Sequence, residues 1–333
     1  MKDWKKVRNA NVVSVHEVFT SREFGDSSLL FAYDYHPMSK TLQELHFPPN
    51  PARYRGSPAV SEHILWGYIC QITNALKAIH SAGLAARCID LSKVIVTDKG
   101  RIRLSACAIL DVVQYESSRS IQELQEEDMV KFGQLILALG TSTLPAHLSN
   151  TQAAVETLGS RYSGNLKDAV AWLIQNPATG DAKAIDSFIG GIATHLNSAF
   201  DSALLDSDSR TAELSKELAN GRVARLSMKL GMINERGDFA GTKEWSETGD
   251  RYMLKLFRDY VYHQVDSDGK PVLGMGHMMS CFMKLDAASD EKLVLTSRDN
   301  ETVFITTYRE LKQMFDRSFN ELVKHSAHGA PGA

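Results

Sequence analysis

The stretch from His80 to Leu110, HSAGLAARCIDLSKVIVTDKGRIRLSACAIL, gathers an imidazole, two thiols, three guanidiniums, lysines and carboxylates into one short run. A nucleophilic Cys88 needs a base within hydrogen-bond reach, and its loop offers none. Asp90, two residues on, could accept a proton. His80 closes a helical run carrying Ile72, Leu76 and Ile79, which suits a structural histidine better than a catalytic one. Far along the chain His277 and Cys281 are four apart and could share a helix face. Two ligands do not complete a zinc site, and His263 has no defined place beside them, so core or surface use and no bound metal are expected.

The elements that must hold the 80–110 run have a familiar order: a helix end, a loop, a strand, a turn, a second strand and another loop. That layout resembles the catalytic core of the protein-kinase fold, whose loop reads H-R-D-L-x-x-x-N and is followed by D-F-G. On this pattern Ala86-Arg87-Cys88 falls on H-R-D, Lys93 on the Asn, and Ala106-Cys107-Ala108 on D-F-G. Phosphoryl transfer by a kinase uses a carboxylate to accept the substrate proton, and an Asn and an Asp to hold magnesium. Cys88 is a poor base, Lys93 repels a cation, and Ala106 offers no ligand. These positions Ala86, Cys88, Lys93 and Ala106 therefore read as a pseudokinase with no catalytic residues. An atypical kinase using Asp90 is the competing reading, weakened because positioning dominates this catalysis and Asp90 sits where kinases carry a Lys.

At 333 residues and 43% hydrophobic content the chain can fill two or more packed units. A net charge of -3 and a pI near 6.4 leave no global nucleic-acid footprint. The four cysteines show no CxxC pairing, and no apolar run approaches the roughly 18 residues of a membrane span, so no membrane association is expected. No secretory signal is apparent, and a reducing intracellular compartment is the default expectation.

Residues 1–11 read as the end of a helix carrying Trp4 and Val7, followed by β-rich runs at Val12–Phe19 and Ser28–Tyr33. This resembles a kinase small lobe entered part-way, without the Gly-rich loop and the V-A-I-K strand. Residues 48–58 are a proline-rich irregular insert. Ser61–Ser81 has helical spacing through Ile64, Leu65, Tyr68, Ile72, Leu76 and Ile79, with Ser61 as its cap. Glu127-Asp128-Met129-Val130-Lys131-Phe132-Gly133-Gln134-Leu135 matches the kinase helix D-x-W-S-x-G-x-x-L, in which the Asp bonds the catalytic-loop backbone. Helices at Leu166–Leu173 and Ala184–Ile192 close the lobe. A long helix over roughly 185–234 follows, on which Leu214, Leu218, Val223, Leu226, Leu230 and Ile233 form a coiled-coil seam suited to homodimerisation, with a phase slip and a kink expected at Gly221. An ordinary amphipathic helix packed on its own domain is the alternative. The expected organisation is α+β and mainly α: a truncated pseudokinase domain (1–190), a coiled coil (191–234), a small α+β knob (235–325) and a disordered tail (326–333). In the knob, an apolar face carries Tyr252, Leu254, Leu256, Phe257 and Val261, and a hairpin about Arg298–Glu301 precedes a helix over Tyr308–Val323.

Ile233-Asn234-Glu235-Arg236 and Trp245-Ser246-Glu247-Thr248-Gly249-Asp250-Arg251-Tyr252 carry a more specific likeness. With the order degenerate kinase, coiled coil, knob, the chain resembles the pseudokinase regulatory subunits of the poly(A)-nuclease deadenylation complex. Trp245, Glu247, Asp250, Arg251 and Tyr252 are the knob signature.

The resemblance implies a non-catalytic scaffold that homodimerises through the coiled coil and binds the catalytic exonuclease subunit, promoting poly(A)-tail shortening and messenger RNA decay. It also implies a cytoplasmic, P-body location and recruitment by Gly/Trp-repeat silencing proteins of microRNA pathways. In such subunits poly(A) RNA and poly(A)-binding protein are contacted mainly through N-terminal segments not found in this sequence. Family members bind ATP without hydrolysing it; the matching residues are Asp34, Tyr35, His36, Pro37, Met38, Ser39, Lys40 and Thr41 with Ser92 and Lys93. Lys40 and Lys93 could neutralise phosphates in place of magnesium, or could simply be solvated. A stand-alone nucleotide sensor is a third reading of the same residues.

Overall fold

The structure is a computed structural model that describes residues 2–48, 59–115, 119–148, 150–175, 183–239 and 249–325. Two compact units, Met1–Leu205 and Asp206–Ala333, divide it.

In the first unit β1 (Val15–Ser21) and β2 (Ser28–Tyr33) form an antiparallel hairpin, in register from Glu17 opposite Ala32 to Ser21 opposite Ser28, with a register shift between Glu17 and Val15, which faces Tyr33. A second, three-stranded antiparallel sheet has the order β3 (Lys40–Thr41), β4 (Val94–Asp98), β5 (Arg101–Leu104). Thr41 also caps the short α1 (Leu42–His46) through a capping box with Glu44. The long α2 (Glu62–Ser81) turns Leu65, Ile69, Ile72, Leu76 and Ile79 into the core, each at most 1% exposed. After α3 (Ile109–Val113) comes α4 (Ile121–Thr141), started by the capping box of Ser120 and Glu123. Its second half is apolar nearly all round, as a helix through the middle of a lobe must be. A Cβ on Gly133 would lie 2.7 Å from Ile174 and 2.8 Å from Leu173, so the motif glycine is where α4 meets α6 (Gly164–Ile174). Beside them lie α5 (Thr151–Arg161) and α7 (Ile185–Gly191).

Where residues 1–11 are expected to be a helix end, the described residues 2–11 do not form one. A single 3-10 turn, Trp4–Lys6, is present, and Asn9 Oδ1 takes the backbone N–H of Asn11 at 2.8 Å. Such side-chain-to-backbone bonds compete with the helix. Buried Asn11 donates in turn to Ile102 O and Gln71 Oε1, so the segment is pinned to β5 and α2 while Trp4 and Val7 stay in the core. Ser61 does occupy the N-cap of α2, but its side chain makes no capping bond. The 48–58 insert lies, but for its first residue, outside the described residues.

The long helix begins later than expected. Gly190-Gly191 ends α7, and α8 (Ala193–Phe239) then runs through Gly221 without a break. The division between the units falls within α8.

The second unit packs the end of α8 against α9 (Gly249–Tyr262), α10 (Met275–Asp286), the antiparallel hairpin β6 (Lys292–Thr296) and β7 (Val303–Thr307), and α11 (Tyr308–His325). The hairpin and its following helix fall where the alternation predicts. Val223, Leu226, Leu230 and Ile233 join Leu254, Phe257 and Phe315 in this core, whereas Leu214 and Leu218 are 60% and 56% exposed. The final residues, 326–333, lie outside the described ones.

Candidate functional site

The loop between α2 and β4 is held by one carboxylate. Asp128 of α4 is fully buried and accepts from the backbone N–H of Ala86 at 2.6 Å and of Arg87 at 2.7 Å, while His80 Nε2 lies 3.1 Å away. These bonds fix Arg87 in the left-handed region at φ 58°, a conformation an unconstrained arginine avoids. His80 is thereby a structural histidine, and Asp128 keeps the loop-holding role its motif predicts.

The guanidinium of Arg87 is also bound, by Asp111 Oδ1 at 3.0 Å and Gln114 Oε1 at 2.7 Å, and Trp4 Nε1 donates to Asp111 Oδ2 at 2.6 Å. Asp111 is a residue that sequence reading missed. It lies past the D-F-G position, where no motif marks it, and only α3 brings it back to the loop.

Asp90, the candidate displaced base, is occupied differently. Its Oδ1 takes the N–H of Ser92 at 2.8 Å and the hydroxyl of Ser92 at 2.6 Å, a local turn on an exposed loop. Among the described residues the Cys88 sulfur makes no hydrogen bond to an imidazole or carboxylate; it lies 3.5 Å from that of Cys107. The hydrogen bond to Cys88, with complete burial, pushes the Cys107 thiol well above its ordinary range. Ala106 and Ala108 flank it at φ 59° and 73°, and Tyr33 donates to Cys107 O at 2.6 Å. Arg87, Cys88, Asp90, Lys93, Ala106 and Lys131 are among the residues around a cleft of about 430 Å³. In this arrangement the carboxylate at the cleft, Asp90, is engaged in its own turn, and a lysine and an alanine stand at the positions where kinases hold magnesium.

The Asp34–Thr41 segment runs from the end of β2 through β3. Tyr35 and Met38 are 85% and 97% exposed. Asp34 Oδ1 is 2.6 Å from His16 Nε2, and bonds from Ser14 and His16 hold its carboxyl below the usual range. Pro37 is exposed, Ser39 closes a loose turn onto His36 O, and Thr41 is engaged as the cap of α1. His36 Nε2 is buried with no hydrogen-bond partner among the described residues. Lys40 pairs with Val96, and Lys93 directly precedes Val94, so both lysines flank strand β4.

In the second unit the signature residues tie α9 to its neighbours. Asp250 receives Arg317 at 2.7 Å, Arg251 reaches Glu321 at 3.2 Å, and the Tyr252 ring meets Phe304 edge-on. Gly249 opens α9 at φ 66°, which accounts for a glycine at that point of the motif. Trp245 and Glu247 lie outside the described residues. His277 and Cys281 do share a face, 3.6 Å apart, with the Tyr308 hydroxyl on the same sulfur, whereas His263 pairs with Asp259. No group of three metal-ligating side chains occurs among the described residues.

A family profile described as the Pan3 C-terminal knob domain matches residues 185–322. The PAN2-PAN3 deadenylation complex subunit PAN3 of Chaetomium globosum is 65% identical over 335 residues, covering 100% of this chain and 52% of that protein. This chain belongs to the PAN3 family. It spans about half the length of the curated relatives it matches. Among solved PAN3 structures, that of Neurospora crassa PAN3 in complex with PAN2 superposes with a TM-score of 0.86 at 52% identity, covering 96% of this chain and 78% of that one. The Drosophila melanogaster PAN3 pseudokinase gives a TM-score of 0.82 at 40% identity, covering 97% and 84%. The fold is thus a PAN3 pseudokinase followed by a long helix and a knob.

Proposed function

We propose that this chain is a non-catalytic scaffold that docks a PAN2-type exonuclease and thereby promotes the shortening of messenger RNA poly(A) tails. The observation that carries the reading is the likeness, at 52% identity across nearly the whole chain, to a PAN3 solved in complex with PAN2. The degenerate loop supports it: Asp128 preserves the frame, while Cys88, Lys93 and Ala106 replace the proton acceptor and the cation holders. Co-purification of the chain with the PAN2 subunit of its own organism tests the docking. A folded chain that does not retain that nuclease would overturn it.

The same reading carries homodimerisation through the exposed part of the α8 seam, and work in the cytoplasm and P-bodies, including decay directed by Gly/Trp-repeat silencing proteins. ATP binding without hydrolysis fits the residues present. The 34–41 segment is largely open, His36 offers an unpartnered buried nitrogen, and Lys40 and Lys93 flank one strand where phosphates could be neutralised without a divalent ion. Calorimetric titration with ATP in EDTA checks this: binding persists without magnesium and is lost on Lys93→Glu.

A further inference from the structure

Cys88 and Cys107 are brought together from opposite ends of the β4–β5 hairpin, nineteen residues apart in sequence, with their sulfurs 3.5 Å apart. The two differ in access. Cys88 is partly exposed and belongs to the wall of the 430 Å³ cleft, whereas Cys107 is 0% exposed. Cys107 is also held firmly, with its carbonyl bonded to Tyr33 and its neighbours Ala106 and Ala108 in left-handed backbone. Cys70 and Cys281 are buried, and neither has a thiol neighbour; the sulfur of Cys281 instead meets His277 and Tyr308.

We propose that this pair is a thiol-modification site: hydrogen peroxide oxidises Cys88, and Cys107 resolves it to a reversible disulfide. The Cys88 thiolate attacks one peroxide oxygen, the O–O bond breaks, and the departing hydroxide leaves as water, giving a sulfenic acid on Cys88. The Cys107 sulfur then attacks the Cys88 sulfur. The S–O bond breaks, and the Cys107 proton leaves with that oxygen as a second water. Two thiols and one peroxide thus become one disulfide and two waters. Complete burial puts Cys107 out of reach of the oxidant, which makes it the resolving partner rather than the first target. Such a bond in a reducing compartment is transient, as a sensing disulfide is. It would clamp the degenerate loop to the 105–108 segment. Oxidation of the pair requires no docked nuclease.

The test treats the chain with a few equivalents of hydrogen peroxide, alkylates it under denaturing, non-reducing conditions and maps the peptides by mass spectrometry. The expected result is a Cys88–Cys107 linked peptide that disappears with dithiothreitol, with Cys70 and Cys281 alkylated. The oxidised chain should also unfold several degrees higher, because the link closes a loop in the unfolded chain. Cys107→Ala should stop at a sulfenic acid on Cys88 that dimedone traps, and Cys88→Ser should leave Cys107 unoxidised. If Cys107→Ala does not fold, wild type and Cys88→Ser still decide. Over-oxidation of Cys88 with Cys107 recovered as a free thiol would overturn the proposal, as would recovery of both thiols unchanged.

Discussion

Two stretches of this molecule carry the signature of a known fold element, the loop at 86–93 with its anchor Asp128 and the α8 seam at 214–233, and both divide in the same way. In the loop, Ala86 and Arg87 are fastened to a fully buried Asp128, whereas Asp90, Ser92 and Lys93 lie at the surface around a local turn. In the seam, Val223, Leu226, Leu230 and Ile233 are at most 7% exposed within the second unit, whereas Leu214 and Leu218 are more than half exposed. One portion of each signature is committed to the chain's own core. The other faces solvent. Residue type and spacing do not distinguish the portions; burial does.

Substitutions break that division at its strongest point first. Leu230→Asp places a carboxylate in the knob core with no partner, and should destabilise the second unit by about 4 kcal/mol or more. Urea unfolding followed by a knob-specific probe would register it. A mere change in oligomeric state with an unchanged unfolding midpoint would contradict the packing. Asp128→Ala comes next. It leaves the N–H groups of Ala86 and Arg87 and the ring of His80 without their acceptor in the interior, and should cost the first unit about 3–5 kcal/mol.

Much of this was legible in the sequence, for identifiable reasons. The spacing of Ile72, Leu76 and Ile79 marked α2, alternation marked the β6–β7 hairpin, and the Asp128 motif named the acceptor that holds the loop. Each is a short-range pattern with a fixed period or offset. What escaped depends on long-range placement. Asp111 meets Arg87 across 24 residues and Trp4 across 107, and Cys107 meets Cys88 only because the β4–β5 hairpin returns the chain. The seam was half legible for a related reason. Heptad spacing indicates an apolar stripe, but the same stripe serves a second helix or the chain's own domain equally well. Gly190-Gly191 ended a helix that hydrophobic periodicity alone carries straight through.

The exposed part of the seam should separate association from stability. Leu214→Asp with Leu218→Asp alters side chains already in solvent, so unfolding of the second unit should shift by no more than about 0.5 kcal/mol. Light scattering should nonetheless report monomers. A dimer that survives these changes, in a chain that also tolerates them, would remove this segment of α8 from the interface.

The smallest effect is expected at the surface of the loop, and it bears most directly on the loop's chemistry. Asp90→Ala deletes an acceptor that, among the described residues, serves the N–H and hydroxyl of Ser92, both open to water, so stability should fall by about 0.5–1 kcal/mol. Phosphate release from ATP in the presence of magnesium should be indistinguishable between wild type and variant, and at background in both. The displaced-base reading needs this carboxylate to point at a substrate hydroxyl, yet its Oδ1 is already engaged by its own turn. Measurable magnesium-dependent turnover in wild type that Asp90→Ala abolishes would show that the turn opens when substrate arrives. The loop would then divide differently from the seam, its exposed half catalytic rather than vacated.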